Sequence, residues 1–305
     1  MLVKSRTEPT ELLIWKSLNS RTKLSNKDKQ QYLNAEKGYE GELLFDSLVE
    51  KLELGTLQLN DLLLQFNNTV FQIDSLIITS DTIYLFEIKN YEGDYVYESD
   101  RFYKKPQTEI QNPIHQLKRS ESLLRQLLQY NGFNINVVGY IIFINPEFTL
   151  YQAPLDKPFI FPSQIQRYLE NLSKGTTKLT SKHHMIAHKL TSLHLDESPY
   201  KRLPVYHYDQ IEKGITCMVC DSFSIEVERN ACVCQKCDYK ESVPNAILRS
   251  VNEFNLLFPD RKITTNSIQE WCKIIESQKR IKYTLDNHLK IHHKSRWTYY
   301  DLKDK

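Results

Sequence analysis

The stretch IYLFEIKN, residues 83 to 90, has the makings of a buried strand yet carries a carboxylate and an ammonium two positions apart. Strand side chains alternate faces, so Leu85, Glu87 and Lys89 share one face and Tyr84, Phe86 and Ile88 the other. A second apolar run, VFQIDSLIIT, precedes it, and a tight turn at Ser80 and Asp81 makes the two a hairpin. That pairing sets Asp74 opposite Glu87 with Cβ atoms roughly 5 Å apart, an arrangement that like charges destabilise unless a cation lies between them. Two carboxylates and water suit a hard ion such as Mg²⁺, or Mn²⁺ in its place. Lys89, one pair further along and opposite Gln72, could then reach a phosphate or a metal-bound water. An arbitrary E-x-K is more often a solvated ion pair. Here, however, the same face carries Leu76, Ile78, Ile83 and Leu85, so it is not a wet face.

The second chemical signal is CMVCDSFSIEVERNACVCQKC, which holds five of the six cysteines. It contains C-x-x-C twice, at Cys217/Cys220 and Cys234/Cys237, with a β-prone segment and a polar turn between them. Two such knuckles joined by a hairpin resemble a zinc ribbon, whose tetrahedral Cys₄ site is structural rather than catalytic. Cys232 could replace Cys234 as a ligand. Cys234 is preferred because it completes the second C-x-x-C, and Cys232 and Cys272 read as buried thiols. In HHMIAHKL, His184 and His188 lie one helical turn apart, but without the glutamate of H-E-x-x-H they read as exposed helical residues.

A third region is the basic tail. Lys279, Arg280, Lys282, Lys290, Lys294, Arg296 and Lys303 stand against Glu276, Asp286 and Asp301, with Tyr283, Trp297, Tyr299 and Tyr300 among them. Such a patch fits phosphate contact with aromatic support, with Lys279, Arg280, Lys282 and Arg296 as the candidate contacts. A charged helix packed through Ile281, Leu285 and Leu289 explains the same residues equally well.

These groups need a frame. With 305 residues, about two domains are expected. A net charge of +2 favours no polyanionic partner globally. The N-terminus lacks an apolar leader core, and the longest apolar run, VVGYIIFI, is too short to span a membrane. With its cysteines clustered as metal ligands, the chain reads as a cytoplasmic protein without a membrane partner. ELLFDSLVEKL has a helical stripe beginning just after GYEG. The two hairpin strands follow, and then a third strand, YEGDYVYES. Asn112 and Pro113 are good N-cap and first-turn residues for a helix to about Tyr130, and INVVGYIIFIN is a fully buried strand. Helical segments at 162–171 and 178–194 complete a mixed α/β domain. The tail reads as three helices and a β-wing, which resembles a winged-helix module.

Within this frame a set of residues resembles the nuclease-related domain, NERD, a branch of the restriction-endonuclease-like PD-(D/E)xK superfamily. They are G-x-x-G-E as Gly38, Gly41 and Glu42, Asp74 in QIDSLII, FEIKN, and N-P-x-x-Q as Asn112, Pro113 and Gln116, in the family's order. The resemblance implies a mixed sheet flanked by helices and an Mg²⁺-dependent nuclease. Asp74 and Glu87 would ligate the metal, Lys89 would polarise water or stabilise charge on phosphorus, and Glu42 and Gln116 would order the metal shell or the nucleophile. The expected domains are an N-terminal helical extension (1–35), the nuclease-like domain (36–200), the zinc ribbon (213–242) and a helical module that binds nucleic acid, with DNA the expected kind (243–305). Two alternatives stay open: a nuclease-like fold that binds nucleic acid without cutting, and a zinc-stabilised interaction protein.

Overall fold

The computed structural model describes residues 1–51, 55–174, 178–200, 203–294 and 297–303. The chain begins with β1 (Leu2–Lys4), α1 (Thr10–Arg21), α2 (Asn26–Glu50), β2 (Leu57–Phe66), β3 (Thr69–Ile78) and β4 (Thr82–Lys89). Next come β5 (Gly93–Glu98), β6 (Arg101–Lys104), β7 (Thr108–Ile110), α3 (Pro113–Tyr130), β8 (Asn136–Phe143), β9 (Phe148–Tyr151), β10 (Phe159–Ile160), α4 (Pro162–Lys174) and α5 (Ser181–Ser192). The remainder is β11 (Ile225–Glu228), β12 (Ala231–Cys234), β13 (Lys240–Ser242), α6 (Val243–Leu257), α7 (Thr265–Cys272), α8 (Gln278–His288), β14 (Lys290–Lys294) and β15 (Trp297–Asp301). Two compact units result: Met1–Glu8 with Leu33–Lys201, and Pro9–Tyr32 with Arg202–Lys305. The stretch expected as an N-terminal extension is thus shared between them.

The first unit is built on a mixed sheet in the order β1-β2-β3-β4-β8-β10. β2, β3 and β4 are antiparallel, whereas β8 runs parallel to β4 after a crossover through α3. One face packs Leu76, Ile78, Ile83 and Leu85 against Leu117 and Leu124 of α3 and Ile186 and Leu190 of α5. The other packs Ile77, Phe86, Ile88 and Ile142 against Phe45 and Val49 of α2 and Leu169 of α4. The alternation along IYLFEIKN therefore divides two cores, as a sheet covered on both sides requires.

Three elements differ from expectation. α2 does not start after GYEG but runs through it, with Gly38 and Gly41 inside the helix. The strand β2, beside β3, has no counterpart in the sequence reading. YEGDYVYES does form a strand, β5, but in a separate sheet ordered β7-β6-β5-β9, which it enters at Gly93 with φ +90°.

The second unit joins a small antiparallel sheet, β11-β12-β13, to α6, α7, α8 and the β14–β15 hairpin. Ile263 adds a bridge to Tyr300. Helix, bridge, helix, helix and hairpin follow one another as in a winged helix. Its core gathers Phe254, Trp271, Ile281, Leu285 and Tyr300, with Ile14 and Leu18 of α1. Arg21 is buried in this unit, forking onto Glu253 at 2.6 and 2.7 Å.

Candidate functional site

β3 and β4 pair in the register that the hairpin predicts, from Ile78 opposite Ile83 to Ser75 opposite Phe86. The ladder stops there, one pair short of Asp74 and Glu87. Asp74 instead turns its carboxylate onto the next strand, where Oδ2 accepts the Ile88 amide at 2.8 Å. Both acids are buried, Asp74 to 6% exposure and Glu87 to 1%. Burial, and then the Asp74 carboxylate, push Glu87 up to about 8. Burial also raises Asp74, against the pull of Lys89.

Glu87 spends one oxygen on the chain's own cation. Lys89 Nζ donates to Glu87 Oε1 at 2.6 Å and to Gln116 Oε1 at 3.1 Å. Burial alone would lower Lys89, but Glu87, Tyr91 and Asp74 outweigh it and hold the ammonium above its ordinary range. The other Glu87 oxygen, Oε2, is buried without a hydrogen-bond partner among the described residues. Gln116 arrives from α3, whose start is fixed by Asn112: its side chain accepts the Ile114 amide at 3.0 Å, with Pro113 as the first helical residue.

Glu42 approaches from α2 and meets a residue that sequence reasoning missed. Arg6 Nη1 donates to Glu42 Oε2 at 2.6 Å, Nε to Asp46 Oδ2 at 2.8 Å, and Nη2 to the Asp74 carbonyl at 2.7 Å. Its side chain is 2% exposed. Burial and the Asp74 charge still drive Glu42 up to about 8, against the pull of Arg6. No spacing in the sequence marks Arg6, because its partners lie 36 to 68 positions away.

The motif glycine and asparagine set how closely α2 and β4 approach. A Cβ on Gly41 would sit 2.6 Å from Asn90 Cβ, so only glycine lets the helix come this near. Asn90 Nδ2 donates to the Lys37 carbonyl of α2 at 2.7 Å, and its Oδ1 accepts from Asn145 at 3.0 Å. Among the described residues nothing crowds Gly38.

A buried carboxylate oxygen without a partner among the described residues, an Asp74 charge that raises both Glu42 and Glu87, and a lysine at the strand end mark this cluster as the candidate site. Residues 37–144 match the family model of the nuclease-related domain, NERD. The NERD span contains Glu42, Asp74, Glu87, Lys89 and Gln116, and it leaves Arg6 outside. It supports a nuclease-related function with nucleic acid as substrate or partner. No curated protein and no solved structure matches the chain.

In the second unit the thiols of Cys217, Cys220, Cys234 and Cys237 lie within 4.8 Å of one another; among the described residues this is the only such group of three or more His, Cys, Asp or Glu ligand atoms. Cys217 and Cys237 sulfurs are 3.5 Å apart, Cys220 and Cys234 3.6 Å. The Val219 amide points at Cys217 Sγ and the Lys236 amide at Cys234 Sγ, both at 3.4 Å; burial would raise the Cys234 thiol, but amide and neighbouring-thiol hydrogen bonds bring it down to about 7. The donor set and its closeness fit zinc. Cys232 instead packs in the core, where burial pushes its thiol up to about 11.

Of the candidate nucleic-acid contacts, Lys279, Arg280 and Lys282 stand on α8. Lys279 is exposed on α8. Arg280 donates to the Arg229 carbonyl at 2.6 Å and to Asn230 Oδ1 at 2.8 Å. Lys282 Nζ lies 3.8 Å from Asp286, and Arg296 lies outside the described residues. His188 is exposed and His184 half-buried. Among the described residues no helix is long and apolar enough to cross a membrane.

Proposed function

We propose that the protein is a metal-dependent nuclease that hydrolyses phosphodiester bonds of nucleic acid, DNA foremost, with Mg²⁺ or Mn²⁺ held by Asp74 and Glu87. The observation that carries this reading is the buried Glu87 carboxylate, with one oxygen on Lys89 and the other unpartnered beside the Asp74 charge. A divalent ion bound to these acids would supply a more acidic water and offset charge on the phosphate. Lys89 would give its ammonium to the developing negative charge on phosphorus. Gln116 holds Lys89 in line for that role, and Glu42, fixed by Arg6, would orient the attacking water. The zinc ribbon would hold the second unit's fold, and that unit would retain the nucleic acid. Clustered free thiols agree with a reducing cytoplasm.

A second reading, binding without cutting, draws on Arg6 and Lys89, which already offset part of the acidic charge. Labelled plasmid and single-stranded DNA incubated with the purified protein and Mg²⁺ or Mn²⁺ separate the two. Cutting abolished by Glu87→Ala and by omitting the ion supports the nuclease. Binding without cutting under every condition replaces it with the second reading.

A further inference from the structure

We propose that the outer face of the β14–β15 hairpin is a stacking platform for an unpaired stretch of nucleic-acid strand, centred on Trp297 and Tyr299. The inference deepens the nucleic-acid reading above and rests on it for the class of ligand alone.

The register divides the hairpin. Ile291 pairs with Tyr300, and Tyr300 turns inward, 1% exposed, with its hydroxyl donating to Asp286 at 2.7 Å. Alternation then puts Trp297 and Tyr299 on the opposite face, with His292 directly across from Tyr299. The His292 and Tyr299 rings lie parallel, 4.9 Å between centroids at 8°. The Ile263–Tyr300 bridge brings the neighbouring Lys262 alongside, its ammonium 4.8 Å from the Tyr299 ring centre. Lys262, Thr264, Trp297, Thr298 and Tyr299 line a hollow of about 300 Å³. One acid accompanies them: Asp301, across from Lys290 and 2.8 Å from His292 Nε2.

Trp297 is 78% exposed, so within this chain its ring contributes little to folding. An exposed indole beside a half-buried, stacked phenol and imidazole, edged by lysine, matches what a single strand offers, namely open π-faces joined by phosphates. A duplex does not offer this, because its bases are already stacked on one another. The helix that would enter a duplex groove is also less available: Arg280 is occupied by the 229–230 turn and Lys282 lies near Asp286.

The chain provides its own reporter. Of its three tryptophans, Trp15 and Trp271 are buried to 1% and 0% exposure. Quenching of intrinsic fluorescence by added nucleic acid therefore reads Trp297. The experiment titrates the zinc-loaded Glu87→Ala protein, which keeps cutting out of the signal, with oligo-dT and with duplex DNA of equal length. Expected are saturable quenching by oligo-dT well above that by duplex, and affinity for labelled oligo-dT at least about 10-fold weaker in Trp297→Ala, as loss of a base-stacking ring produces. Lys262→Ala should reduce the salt dependence of binding. Equal or stronger quenching by duplex, no quenching at all, or unchanged oligo-dT affinity in Trp297→Ala overturns the platform. Plasmid cutting by wild-type protein is scored separately, so loss of the platform and loss of the nuclease reading are distinguishable.

Discussion

Arg6 Nη1 lies 2.6 Å from Glu42 Oε2, and the same guanidinium holds Asp46 and the Asp74 carbonyl. The first residues of the chain thereby become part of the acidic cluster, although the NERD match begins only at residue 37. Arg6→Ala would leave two largely buried carboxylates and a carbonyl without their donor. Breaking such a pair from one side costs about 3 kcal/mol. Urea unfolding should show a loss of that order, and a titration of Mg²⁺ should show weakened binding. Arg6→Lys keeps the charge without the fork and should recover only part of either. Wild-type stability in Arg6→Ala would refute the role given to the fork.

Asp74→Asn tests whether the acids are held at the expense of the fold. Asn can still accept the Ile88 amide, while its neutrality removes the charge that raises both Glu42 and Glu87. Without divalent ions the variant should melt a few degrees above wild type and cut nothing. A melting temperature clearly below wild type would mean that Asp74 is structural rather than poised for a cation.

The hairpin register, the Asn112 cap and the two C-x-x-C knuckles were legible because each is a local pattern whose physics acts within a few residues. Arg6 was not, since nothing near it in sequence announces partners so far along the chain. GYEG misled for a physical reason: glycine usually ends or starts helices, but Gly41 sits within α2 to admit Asn90 at a distance any Cβ would forbid. The pairing of Asp74 with Glu87 was right in register and wrong in detail, because the Asp74 side chain replaces the ladder bond at Ile88. The tail's charges were countable, but which of them are already engaged depends on the ribbon turn at Arg229 and Asn230.

Gly41→Ala should therefore cost stability out of proportion to a methyl group. The added carbon would lie 2.6 Å from Asn90 and 3.1 Å from Ile144, forcing α2 away from the strand end. Overpacking of this kind costs about 1–3 kcal/mol, read as a melting temperature lowered by roughly 2–10 °C. Gly38→Ala, where nothing crowds the site, should be neutral or slightly stabilising. Equal effects at the two positions would rule out the close approach as the reason for glycine.

Proton competition gives a pH signature. Glu42 and Glu87 start from ordinary values near 4.5 and are each pushed up to about 8 in the fold. Between those values the folded state holds protons that the unfolded state releases, so rising pH removes stability from the metal-free protein. A divalent ion must displace the same protons, so its binding strengthens as pH rises toward 8. The rise in melting temperature on adding Mg²⁺ should grow steadily from pH 6 to pH 8.5 and shrink in Glu87→Gln. A Mg²⁺ effect independent of pH would argue against binding at these acids.

Zinc content separates the neighbouring thiols Cys232 and Cys234. Cys234 contributes its sulfur to the four-thiol group and accepts the Lys236 amide, whereas Cys232 packs among apolar side chains. Metal analysis should find one zinc per chain in wild type and in Cys232→Ser, and markedly less in Cys234→Ser. Because the ribbon sheet leads directly into α6, whose cap is Ser242, loss of zinc should also loosen the start of that helix. Hydrogen exchange at residues 243–247 should then accelerate in Cys234→Ser and remain slow in Cys232→Ser. The reverse pattern would make Cys232 the ligand and require the second knuckle to rearrange around it.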